Sequence, residues 1–229
     1  MNIHGLQKMT LLDFPGKVAC TVFFGGCDLR CPFCHNSDLL DMNAPALMDE
    51  EELLSFLEGR KGLLEGVCFT GGEPLMRPEL PALCRKIKTL GYPIKLDTNG
   101  LRPGPLRALI DEGLIDYVAM DIKNAPARYG ETTGRPGLDL TPLYESIRLL
   151  KEGRVDYEFR TTVVAEFHED ACFPEIGEMI RGAKRYYLQK FTDRDSVLFA
   201  GLHAPKEADM RRWAEIVQAF VEKVELRGV

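Results

Sequence analysis

Three cysteines fall within one short segment, Gly25-Gly26-Cys27-Asp28-Leu29-Arg30-Cys31-Pro32-Phe33-Cys34-His35-Asn36. Thiolates are soft donors and the usual ligands of iron-sulfur clusters. Three of them wrapped around a four-iron cube leave one iron without a protein ligand, free to take a substrate or cofactor. Other chemistries use some of the same residues. Cys31, Cys34 and His35 match the C-x-x-C-H of haem attachment, which accompanies export. Cys31 and Cys34 alone match a redox dithiol, which leaves Cys27 without a role. Cys27, Cys31, Cys34 and His35 match a zinc donor set, although adjacent ligands fit a tetrahedron poorly. The cluster reading alone uses all three cysteines without that strain.

These residues need elements to hold them. The apolar run Val18-Ala19-Cys20-Thr21-Val22-Phe23-Phe24 before the paired glycines is rich in β-branched and aromatic residues and predicts a buried strand. Further strands are expected at Gly66 to Thr70, Pro93 to Thr98, Tyr117 to Lys123, Tyr157 to Val164 and Tyr186 to Phe191. Helices are expected between them, the first capped by Asp49 with Glu52 in a capping box. Their ranges are Pro78 to Leu90, Pro103 to Glu112, Pro142 to Glu152 and Pro174 to Lys184, with a final one over about 206–224 that holds Trp213. The stretch after Lys123, through Gly130 and Gly134 to Gly137, reads as a loop. Strands and helices in alternation predict right-handed crossovers and a parallel sheet, an α/β partial barrel in one domain over 1–229.

Polar residues recur where these strands end. Gly71-Gly72-Glu73 follows the second, Asp97-Thr98-Asn99 the third, Asp121 and Lys123 close the fourth, and Arg160 lies on the fifth. Ligands bind at the carboxyl edge of parallel sheets, so one cavity is expected to collect these groups beside the cysteines. Read alone, the glycine pair is a tight turn, Asp97 and Asp121 are loop caps and Lys123 is a solvated edge lysine. Their shared edge favours a site.

With 29 basic and 35 acidic residues the net charge is −6, which gives no footprint for nucleic acid or an anionic membrane. The polar start Met1 to Lys8 and the absence of a long apolar run point to a cytoplasmic protein. Thiols stay reduced there, so clustered cysteines favour metal chemistry over disulfides. Cys20, Cys68, Cys84 and Cys172 sit among apolar neighbours and are expected to be buried.

The C-x3-C-x2-C segment with Phe33 before its last cysteine, together with Gly71-Gly72-Glu73-Pro74, resembles the radical S-adenosylmethionine (SAM) enzymes. The resemblance implies a partial (β/α)6 TIM-like barrel and a 4Fe-4S cluster on Cys27, Cys31 and Cys34. SAM would bind the open iron and be cleaved reductively to a 5′-deoxyadenosyl radical. It implies SAM contacts at Phe33, Gly71, Gly72, Glu73, Asp97, Thr98, Asp121, Lys123 and Arg160. Leu12-Asp13-Phe14-Pro15-Gly16, Cys34-His35-Asn36, Asp97-Thr98-Asn99-Gly100 and Asp121-Ile122-Lys123 are similar to glycyl-radical-enzyme activases. Within these, Thr161 to Val164 and Leu188 to Phe191 are similar to the activating proteins of anaerobic ribonucleoside-triphosphate reductase. A glycyl radical enzyme as substrate, a flavodoxin or ferredoxin as electron donor, and a contact from Asp13 to the incoming glycine loop are then implied. Compact deazapurine-forming radical SAM enzymes give the alternative, with a small-molecule substrate. Asp28 and Ala165 depart from the usual Asn and Pro of relatives, and His203 has no aligned role.

Overall fold

The computed structural model describes residues 1–229. An eight-stranded sheet carries the molecule: β1 (Gly5–Thr10), β2 (Ala19–Phe24), β3 (Gly66–Gly71), β4 (Ile94–Thr98), β5 (Tyr117–Asp121), β6 (Asp156–Val163), β7 (Tyr186–Lys190) and β8 (Val224–Arg227). Neighbours in sequence are neighbours in the sheet, all parallel except the antiparallel pair β1 and β2. Each strand from β2 to β7 is followed by helix: α1 (Glu50–Glu58), α2 (Leu80–Thr89), α3 (Pro103–Asp111), then α4 (Pro126–Thr132) with α5 (Thr141–Lys151), α6 (Cys172–Met179) and α7 (Glu207–Gln218). The expected partial (β/α)6 barrel is therefore present, extended by β8 and by the antiparallel β1. Its two edge strands do not pair, so the barrel stays open on one side.

Strand alternation explains both faces of the sheet. Cys20, Val22 and Phe24 of β2 join Val67 and Phe69 of β3 in the core beneath the helices. The residues between them, such as Thr21, Cys68, Lys95 and Asp97, turn to the barrel interior, which is why that interior is polar. Helix starts follow local chemistry. Asp49 Oδ1 accepts from the Glu52 amide at 2.9 Å while Glu52 Oε2 accepts from the Asp49 amide at 2.9 Å, the expected capping box. Helices α2, α3, α4 and α5 open with proline in their first turn, where no amide is needed. Cys20, Cys68, Cys84 and Cys172 are all buried.

Three expectations are corrected. The stretch after Lys123 holds helix α4, whose opening proline reads in sequence as loop punctuation. The helix expected from Pro174 to Lys184 runs over Cys172–Met179. The last helix, expected over about 206–224, ends at Gln218 and is followed by β8. Val217, Val221 and Val224 continue a helical spacing, but the backbone from Phe220 onward bonds to Gly182, Ala183 and Tyr186 instead. An extended strand beside β7 also gives partners to the amides of Gly182 and Tyr186, which a longer helix would leave without them.

β8 is pinned from inside. Glu158 of β6, 1% exposed, takes both guanidinium nitrogens of Arg227 at 2.8 and 3.0 Å and the Tyr117 hydroxyl at 2.8 Å. Removing the cation strands a buried carboxylate. Arg227→Met is expected to destabilise the fold by about 3 kcal/mol in urea denaturation, and a loss under about 1 kcal/mol would show that Glu158 is satisfied without it.

Candidate active site

The cysteine loop leaves β2 at Phe24 and is gripped by its backbone. The Gly25 amide donates to His4 Nδ1 at 2.9 Å and the Gly25 carbonyl accepts from Arg77 Nη2 at 2.5 Å. Gly26 donates to the Leu39 carbonyl at 2.7 Å, and the Arg30 amide donates to the Thr133 carbonyl at 2.9 Å. The turn after β3 closes the set. The Gly72 amide bonds the Phe24 carbonyl at 2.8 Å, the Glu73 amide bonds the Gly26 carbonyl at 2.7 Å, and Asn36 Nδ2 reaches the Gly71 carbonyl at 3.0 Å.

The glycine pair is needed for this contact. A Cβ on Gly72 would stand 2.0 Å from the Gly26 carbonyl oxygen. One on Gly71, at φ +117°, would stand 2.4 Å from the Phe24 amide nitrogen.

One cavity at the carboxyl edge of the sheet is lined by Cys27, Cys31 and Cys34, by Phe33, by Gly71 and Gly72, by Asp97 and Thr98, by Asp121 and Lys123, and by Arg160. Two residues implied as contacts lie elsewhere. Glu73 is fully buried beneath the cavity, its carboxylate accepting from Thr98 Oγ1 at 2.9 Å, the Asn99 amide at 2.7 Å and the Leu75 amide at 3.1 Å. Burial pushes its carboxyl up to about 7 against those donors. Glu73 thus joins the β3 and β4 turns to each other. Asp13 does not line the cavity and accepts from Thr21 Oγ1 at 2.6 Å inside the barrel. His203 is 75% exposed and bonds Glu166 at 2.7 Å, also away from the cavity lining.

The cavity floor is a chain of opposite charges. Lys123 Nζ bonds Asp121 Oδ2 at 2.8 Å, Arg160 bonds Asp121 Oδ1 at 3.0 Å and reaches Asp97 Oδ2 at 3.3 Å, and Lys95 pairs with Asp97 Oδ1. Burial opposes ionisation of both carboxyls. Lys123 and Arg160 nevertheless pull Asp121 down to about 2, and Arg160 with Lys95 holds Asp97 below the usual carboxylate range. Arg160 on β6 reaches Asp97 on β4 across β5, where the inward residue facing Asp97 is Ala119. A larger side chain there would fill the path.

Supports around the cavity include Lys95, Ala119 and His168, which the sequence reading does not single out, and Asn99, which it places at this edge. Lys95 and Ala119 face inward by strand alternation from Asp97 and Asp121, a signal present in the sequence. Asn99 Nδ2 bonds Asp28 Oδ1 at 2.9 Å and ties the β4 turn to the cysteine loop. His168 has no such signal: its ring sits between the Val164 amide at 3.1 Å and the Lys123 carbonyl at 3.0 Å, fixing the backbone under Lys123.

The donor set fits a cluster better than one ion. No three of the chain's His, Cys, Asp or Glu side chains converge tightly enough for a single metal. His35 lines the same cavity, but its ring is held by stacking on Phe191 at 5.5 Å and by Nε2 at 2.7 Å from the Thr192 carbonyl rather than by joining the three cysteines as a fourth zinc ligand. The Leu29 amide points at Cys27 Sγ at 3.4 Å, a contact suited to a ligating thiolate. Burial pushes the Cys27 thiol up to about 12 and Cys31 to about 11, so metal must displace a proton from each.

The Radical SAM superfamily model matches residues 21–180, from β2 through α6. The chain belongs to the radical SAM superfamily. A 4Fe-4S cluster and SAM are the cofactors this membership implies, and Cys27, Cys31 and Cys34 are the three thiols that line the cavity. This radical SAM chain is 28% identical over 233 residues to a candidate glycyl-radical enzyme activating enzyme of Methanocaldococcus jannaschii, covering 99% of this chain and 96% of that one. It is also 35% identical over 205 residues to a 7-carboxy-7-deazaguanine synthase of Hyperthermus butylicus, covering 89% and 76%. Among solved structures, a domain of pyruvate-formate lyase-activating enzyme from Bacteroides vulgatus shares the fold, with TM-score 0.58 at 19% identity over 71% of this chain and 99% of that one.

Gly72→Ala is expected to lower iron bound after anaerobic reconstitution by at least half while circular dichroism stays unchanged; full loading would show that the loop tolerates the displacement. A second expectation concerns acid. Burial, aided by Arg128, pulls His168 down to about 4 from 6.5, against the carbonyls that favour its protonated form. As pH falls the unfolded chain takes the proton first, so stability drops by about 3 kcal/mol between pH 6.5 and 4 and then levels. His168→Gln is expected to remove that component from paired urea titrations, and an unchanged pH difference would contradict it.

Proposed function

We propose that this chain activates a glycyl radical enzyme, taking the α-hydrogen of one glycine in a partner protein. Cluster and SAM, when bound, supply the carbon-centred radical that this transfer needs. The observation that carries the reading is the end-to-end correspondence with the Methanocaldococcus protein, over 99% of this chain and 96% of that one. The open side of the barrel leaves a polypeptide loop room to enter between the unpaired edges.

The protein's own work is positional. Cys27, Cys31 and Cys34 hold the cluster. Gly71, Gly72, Asp97, Thr98, Asp121, Lys123, Arg160 and Phe33 shape the SAM site, and Glu73 acts through Thr98 and Asn99. Asp13, bonded to Thr21 and outside the cavity lining, is assigned to the incoming loop rather than to the cofactors. No side chain is required to accept or donate a proton in a hydrogen-atom transfer. What matters is holding the reacting carbon close to the glycine and keeping water and thiols out.

Within this reading we assign anaerobic ribonucleoside-triphosphate reductase as the partner, a flavodoxin or ferredoxin as electron donor, the cytoplasm as location, and a single radical SAM domain over 1–229. No helix is long and apolar enough to cross a membrane. The identity to the deazaguanine synthase over 89% of the chain favours a second reading, a small-molecule substrate on the same machinery.

The discriminating experiment mixes reduced, cluster-loaded protein with SAM and candidate glycyl radical enzymes, anaerobic ribonucleoside-triphosphate reductase among them. A glycine-centred radical by electron paramagnetic resonance, lost in Cys31→Ala, is the expected result. No radical on any partner, with consumption of a deazapurine precursor, would transfer the assignment to the second reading.

A further inference from the structure

Lys95 does not line the cavity, and its side chain is only 2% exposed. A lysine so placed is costly unless its charge is matched. Two groups face it across the barrel interior: the Asp97 carboxylate, which it pairs, and Cys68 Sγ at 3.7 Å. Burial keeps the Cys68 thiol protonated, so Asp97 is the only anion matched to Lys95. Asp97 itself lines the cavity and presents its other oxygen to Arg160 at 3.3 Å. Arg160 is divided, since it also serves Asp121 at 3.0 Å.

The charges of the floor follow from these pairs. Among the five groups these pairs link, Lys95, Arg160 and Lys123 are three cations to the two anions Asp97 and Asp121, a net of +1 in a partly buried set; Asp13 and Glu158 are held apart from it on Thr21 and Arg227. Without Lys95 the linked set would be two cations to two anions. Arg160 would then be the sole cation on Asp97 and would be drawn from Asp121, loosening the partner of Lys123.

We propose that Lys95 is a positioning residue for the cofactor site: through Asp97 and Arg160 it fixes the cavity floor and gives it the positive bias that receives the α-carboxylate of SAM. This rests on the reading of the cavity as a SAM site. The carboxylate is the one anionic group SAM carries, so Lys95 should matter for that group and for no other part of the ligand. A purely structural lysine would affect all ligands of the folded protein alike.

The test is equilibrium binding to cluster-loaded protein of two probes, SAM and decarboxylated SAM, which keeps the adenosine, the sulfonium and the amine. Lys95→Met is expected to raise the Kd for SAM about tenfold, the scale of one charge acting at a distance through a partly shielded interior. The Kd for decarboxylated SAM should change less than about twofold. Lys95→Gln, which keeps a donor toward Asp97 without the charge, gives the same comparison in a variant that leaves that carboxylate a partner. Thermal melts and iron content establish that each variant is folded and loaded. Equal weakening of both probes, or of neither, in a folded and loaded variant would overturn the role of Lys95 and leave the SAM site standing. Failure of the unmodified protein to bind SAM would instead remove the site, and this proposal with it.

Discussion

The Gly71-Gly72 turn lies against the backbone of the cysteine loop at a separation that leaves no room for a Cβ on either residue. Two strands that pair in parallel, β2 and β3, deliver these two loops side by side at the same edge of the sheet. The amides of Gly72 and Glu73 then bond the carbonyls of Phe24 and Gly26, so main-chain geometry fixes the loop. Everything downstream depends on that setting. The three thiols acquire a common direction from it, and the charged floor acquires a fixed roof.

Below the roof, the charged groups form one linked, partly buried array of ions rather than isolated pairs. Asp97 and Asp121 remain ionised despite burial because Arg160 spans both, with Lys95 and Lys123 at the two ends. Each member is expensive alone and tolerable only in company. The array is possible because Ala119 leaves the strand between them bare. Support continues outward through Glu73, which couples the β3 turn to the β4 turn, and through His168, which holds the carbonyl of Lys123. Cavity and barrel wall are therefore one structure.

Much of this was legible in the sequence. The strand ending at Phe24, the capping box at Asp49 and the recurrence of polar groups at strand ends follow from local chemistry, and they place Cys27, Asp97, Asp121 and Arg160 at one edge. Glu73 shows the limit: its neighbours in sequence suggest a ligand contact, while its depth beneath the cavity is a tertiary fact. The late chain misleads for another reason. Val217, Val221 and Val224 keep a helical period through a change from helix to strand, and only the partners on Gly182, Ala183 and Tyr186 decide where it falls. His168 carries no motif at all, since its role is a hydrogen bond to a residue 45 positions away.

The central claim is that the cysteine loop holds a cluster deliberately left incomplete, with SAM as the missing partner of one iron. Mössbauer spectroscopy on protein loaded with 57Fe, with and without SAM, measures this directly. The account expects one iron of the four to change its isomer shift on adding SAM while the other three stay as they were. Four irons that remain indistinguishable with and without SAM would contradict it.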